Sequence, residues 1–92
     1  LKKYNVWLMS SFHDKVIQKL IEKLNLKLID RAEKTSGYVA EIGYTYFVDG
    51  PKDKLKVLDN IMSSIESKIN NLDIFSYEEA NKVACKILKE IK

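Results

Sequence analysis

The chain is poor in residues that staple, punctuate or ligate. Its 92 residues include one cysteine, one proline, one histidine and three glycines. A single cysteine, Cys85, excludes an intrachain disulfide, so the fold must rest on a packed core. A free thiol also suits a reducing, cytoplasmic setting. One histidine and one cysteine far apart in sequence cannot make a zinc site within one chain, and no cofactor is expected. Gly50-Pro51-Lys52 lacks the glycine spacing and the Lys-Ser/Thr pair of a phosphate-binding loop. The scarcity of glycine and proline leaves little for linkers, and residues 1–92 are read as one domain. No apolar run approaches the roughly 18–20 residues that span a bilayer, so no membrane partner is expected. Charge of one sign is also scarce. Sixteen basic and 13 acidic residues leave a net charge of +3, which permits an anionic partner without demanding one.

What the chain does have is clear periodicity. The start, LKKYNVWLMSSF, has a superficial signal-peptide form, but Asn5 interrupts the apolar part and no small-residue cleavage site follows. Opening on Leu1 rather than Met leaves room for a start residue or leader. Tyr4 to Ser10 carries apolar groups on both faces and is read as a first, central strand. Val16, Ile17, Leu20, Ile21 and Leu24 then mark one face of a helix, with Ser11 and Asp14 as its N-terminal signal and Asn25 as its stop. Leu26 to Lys34 reads as a charged edge strand. Thr35-Ser36-Gly37 turns into Tyr38–Val48, a run rich in aromatic and β-branched residues.

Pro51 opens a second helix, expected to run to Ile69 on the spacing of Leu55, Leu58, Ile61, Met62, Ile65 and Ile69. Leu72–Phe75 is long enough for a short fourth strand. Ser76 and Glu79 form a capping box for a C-terminal helix whose dry side carries Ala80, Val83, Ala84, Ile87, Leu88 and Ile91. The order βαββα predicts an α+β, ferredoxin-like two-layer sandwich with an extra C-terminal helix. That topology places the first and third strands in the middle.

Three groups of residues are candidates for function. Alternation along Tyr38–Val48 puts Tyr38, Ala40, Ile42, Tyr44, Tyr46 and Val48 on the core face. If Val6 and Leu8 also point inward, Trp7, Met9, Val39 and Phe47 share the opposite face of the sheet. An apolar set on an open sheet marks an interface, unless the C-terminal helix folds back over it. RNA-recognition domains use the same face to stack bases. Here, however, SGYVAEIGY has Ser36 in place of the basic residue and Ala40 in place of the second aromatic.

The first strand-helix junction gathers Ser10, Ser11, His13 and Asp14. Neighbours at one helix start rarely converge as a catalytic triad, and no catalytic residue is assigned. Ser11 and His13 are instead candidates for holding a small anion at the helix N-terminus, although Asp14 opposes this. Lys15, Lys19 and Lys23 recur along one side of the helix. They would follow a nucleic-acid backbone, or simply keep a helix face in water.

Taken together, these features predict a non-enzymatic interaction or regulatory module acting through homodimerisation or a partner protein. A single-stranded nucleic-acid binder and a ligand site at the first junction are the alternatives.

Overall fold

The computed structural model describes residues 1–35, 37 and 40–91. The chain runs β1 (Lys2–Leu8), α1 (Ser11–Lys23), β2 (Lys27–Thr35), β3 (Ile42–Asp49), α2 (Lys52–Met62), α3 (Ile65–Ile69) and α4 (Tyr77–Glu90). It is an α+β domain with a three-stranded antiparallel sheet in the order β1-β3-β2. No described helix is long and apolar enough to cross a membrane.

Period-two alternation sorts the sheet into two faces. Tyr4, Val6 and Leu8 of β1 and Tyr44, Tyr46 and Val48 of β3 are buried together under the helices. α1 contributes Val16, Ile17, Leu20 and Ile21 to that core, and α2 contributes Leu55, Leu58 and Ile61. α4 lies along α1 rather than across the sheet. Ala80 and Ala84, fully buried one turn apart, let the two helices approach closely, and Phe12 meets Tyr77 edge to face at 5.5 Å.

α1 begins one residue earlier than the sequence suggested. Ser10, not Ser11, is its N-cap, with Oγ accepting from the His13 N–H. At the other end Asn25 takes the left-handed conformation (φ 58°). Asn25 N–H donates to the Glu22 carbonyl and Leu26 N–H to the Ile21 carbonyl, a Schellman closure that satisfies two end carbonyls. α4 is capped by Ser76 Oγ, which accepts from Glu79 N–H, while Glu79 reaches back to the Phe75 N–H.

The structure corrects four expectations. β1 is an edge strand, because no fourth strand flanks it among the described residues. Leu72–Phe75 is irregular: the Leu72 carbonyl is taken by His13, Ile74 is buried in the core and Phe75 is exposed. The single helix expected over Pro51–Ile69 is broken at Ser63-Ser64. There the Ser63 hydroxyl donates to the Asn60 carbonyl and the Ser67 hydroxyl to that of Ser64, so serine side chains compete for carbonyls at the break. The long strand over Tyr38–Val48 begins only at Ile42, and Ala40 is exposed. Tyr38 and Val39 lie outside the described residues. β2 is the charged edge strand that its sequence indicates, and a bulge at Ile29 shifts its register between Leu28 and Asp30.

Candidate interaction face

The face of the sheet opposite the helices is uncovered among the described residues. The register lays it out in three rows. Lys3, Phe47 and Asp30 stand side by side, then Asn5, Thr45 and Ala32, then Trp7, Gly43 and Lys34. These rows follow from alternation: once Tyr4, Val6 and Leu8 point into the core, their neighbours must point out.

Trp7 is 41% exposed and its ring lies over Gly43, where an added Cβ would stand 3.1 Å from the ring carbons. A glycine facing an aromatic across a strand pair lets the ring lie flat on the sheet. The Thr45 hydroxyl donates to the Asn5 side-chain carbonyl at 2.7 Å. The Lys3 ammonium sits over the Phe47 ring, 5.9 Å from its centroid. A shallow hollow of about 240 Å³ beside Trp7 is lined by Asn5, Lys34, Gly43 and Thr45. Met9, just past the end of β1, is 43% exposed. Trp7 and Phe47 therefore stand on the open face, and Met9 is exposed beyond the end of β1. The sequence did not disclose the polar frame around them. Asp30 and Lys34 join the face only because the bulge at Ile29 resets the parity of β2.

The first strand-helix junction is built differently. His13 is buried, with Nδ1 2.6 Å from Ser10 Oγ and Nε2 2.9 Å from the Leu72 carbonyl oxygen. A carbonyl only accepts, so Nε2 donates to it, while Nδ1 and the Ser10 hydroxyl share a hydrogen bond. Both ring nitrogens are thus engaged: Nε2 ties the start of α1 to the α3–α4 connection, and Nδ1 holds the α1 N-cap. Ser11 is exposed. Among the lysines, Lys19 pairs with Glu22 at 3.3 Å, Lys15 stands over the Tyr77 ring at 5.4 Å from its centroid, and Lys23 is exposed.

Asp14 anchors a buried polar cluster that the sequence did not disclose. It is 1% exposed and accepts from Gln18 Nε2 at 2.8 Å, from Arg31 through Nε at 3.1 Å and a terminal nitrogen at 2.8 Å, and from the Tyr46 hydroxyl at 2.5 Å. Arg31 also stands over the Tyr44 ring. Its guanidinium pKa is raised, mainly by the hydrogen bonds to Asp14. Burial, followed by the Asp14 charge, pushes the Tyr46 phenol far above its usual range. A second tyrosine, Tyr4, bonds to Asp59 on α2, and burial followed by that hydrogen bond raises its pKa too. The Asp14 carboxylate is filled by donors from Gln18, Arg31 and Tyr46, and so joins α1 to β2 and β3.

No group of three or more potential metal ligands occurs among the described residues. The chain matches no family model, no curated protein and no solved structure, and the role of the open face is argued from its own residues.

Proposed function

We propose that this chain is a non-enzymatic interaction module that works as a homodimer, joined face to face across its open sheet. The βαββα order is read here as a ferredoxin-like sandwich without its fourth strand, and the free Cys85 fits a cytoplasmic setting. The observation that carries the proposal is Trp7, a large ring held flat on a sheet face that no part of the described chain covers.

The charge pattern favours a second copy as the occupant. A two-fold axis laid along β3 would set each row of the face on the same row of the other copy, with β1 opposite β2. Lys3 would then face Asp30 of the second copy, and Asn5 would face Ala32. The two Trp7 rings, each over its own Gly43, would meet near the axis with Lys34 of the other copy beside them. The arrangement is isologous and charge-complementary, as a closed dimer requires. It is also compatible with the aligned packing of two twisted sheets. Covering a large apolar side chain such as Phe47 contributes roughly 1.5–3 kcal/mol.

A nucleic-acid role has less behind it. Asp30 shares the face with the lysines, and Lys15 and Lys19 are already engaged on α1.

Light scattering across a concentration series tests the proposal. The expected result is a mass of two chains that Trp7→Glu reduces to one, with no change in the melting temperature of the monomer. A chain that is monomeric throughout, or a dimer indifferent to Trp7→Glu, would rule it out.

A further inference from the structure

The outward edge of β1 is treated unequally along its length. At its C-terminal end, two side chains take the place of a neighbouring strand. Glu66 accepts from the Trp7 N–H at 2.9 Å, and the Asn70 side chain both donates to the Trp7 carbonyl at 2.9 Å and accepts from the Met9 N–H at 3.2 Å. One amide thus completes two positions of the ladder as a strand residue would. Backbone groups in an antiparallel strand alternate between its two sides, so those of Lys3 and Asn5 point the same way as those of Trp7. Among the described residues nothing bonds to them.

Nor do side chains guard this stretch. Lysines commonly protect an exposed edge, but here both are turned aside. Lys2 pairs with Asp59 of α2 at 3.5 Å, and Lys3 lies over Phe47 on the outer face. Beside the open stretch runs a groove of about 410 Å³, bounded on one side by Asn5 and Val6 and on the other by Met62, Ser63 and Ser67. It continues past Lys3 and Tyr4 toward Asp59. The turn between α2 and α3 forms the far wall of this groove.

We propose that this half-open edge binds an extended polypeptide segment of another protein, which adds as a strand alongside Lys3–Asn5. The occupant follows from the chemistry of the edge. Alternating N–H and C=O groups, repeating every second residue or about 6.8 Å, match an extended peptide backbone and no small anion or stacked base. About four residues of the segment fit before Glu66 and Asn70 close the edge. One of its side chains points into the groove, where Met62 stands among Asn5, Ser63, Ser64, Glu66 and Ser67, a lining that favours a small or polar residue. This surface is distinct from the open sheet face, so a dimer across that face leaves it free.

The test uses a phage-displayed library of random linear ten-residue peptides, from which the strongest binder is synthesised. Binding is measured by titration calorimetry and mapped by ¹⁵N NMR. The Lys3 and Asn5 amides are expected to shift and to exchange more slowly in the complex. Lys3→Pro, which removes one outward N–H, should weaken the peptide about tenfold, the loss of roughly one good hydrogen bond, and Ser63→Trp, which fills the groove from an exposed position, should weaken it at least as much by steric exclusion. Melting temperatures show that each variant is folded, and Ser63→Trp serves alone if Lys3→Pro is not. Trp7→Glu should leave peptide binding intact, which separates this site from the dimer face. The proposal fails if no peptide is selected above background, if the perturbed amides lie on the outer face instead, if neither variant weakens binding, or if the edge pairs with a second copy of the chain in preference to the peptide.

Discussion

Asp14 and its donors set out a contrast between two tyrosines on one strand. The Tyr46 hydroxyl donates to a buried carboxylate, whereas the Tyr44 hydroxyl is buried without a partner among the described residues. Tyr46→Phe should therefore cost about 1.5–3 kcal/mol, the worth of a hydrogen bond to a charged group. Tyr44→Phe should be neutral or slightly stabilising, because it removes an unpaired buried hydroxyl. Asp14→Ala should cost about 3 kcal/mol, near the low end for breaking a buried pair, since the Arg31 side chain stays 30% exposed. Urea denaturation of the three variants gives the order directly. The same phenols set a pH limit. Tyr4, Tyr44 and Tyr46 all have raised pKa values in the folded state. Their stabilisation is full below the unfolded phenol pKa of about 10 and is lost as pH rises from there toward the folded values. The melting temperature should fall above about pH 10, and less steeply in Tyr46→Phe. Unfolding and the tyrosinate absorbance of these three should appear together. None of this was legible in the sequence. Asp14 looked like a helix-start residue and Arg31 like an edge charge; only the register of β2, reset by its bulge, brings them together.

The helices and strands divide cleanly into those whose limits are encoded locally and those whose limits are not. α4 is local: Ser76 and Glu79 satisfy its first N–H groups as the sequence indicates, and Ser76→Ala should cost about 1 kcal/mol in a denaturation curve. The end of α1 at Asn25 is local as well, since asparagine tolerates the left-handed conformation that its closure needs. The break at Ser63-Ser64 is not. The apolar spacing carries on through it, from Ile61 to Ile65, and helical periodicity alone gave no reason to stop. The absence of a fourth strand among the described residues has a similar origin. Leu72–Phe75 has strand-like composition, but its first carbonyl is claimed by His13 from 59 residues away. Tertiary hydrogen bonds of this kind leave no trace in local composition.

At the scale of the whole molecule, the legible part was the sorting of residues to faces, and the illegible part was the order of the strands. Trp7 and Phe47 were placed outside by parity alone. The position of β1 depended on whether a fourth strand existed. The proposed dimer gives this layout a direct test. Asp30→Lys should weaken association by setting Lys3 against a second positive charge, Lys3→Glu should weaken it likewise, and the double exchange should recover most of the loss. Sedimentation equilibrium of the four proteins measures this coupling. Additive losses without recovery would mean that the two residues do not face each other across the interface.

The two tyrosine–carboxylate bonds have a mechanical consequence. Tyr46 joins the central strand to α1, and Tyr4 joins an edge strand to α2. Interdigitated apolar packing already holds the helical layer against the sheet, and the two bonds add directional ties to it. Two directional bonds at separate points suppress both translation and rotation between the layers. The open face is thus braced from behind, by bonds on the side of the sheet turned away from it.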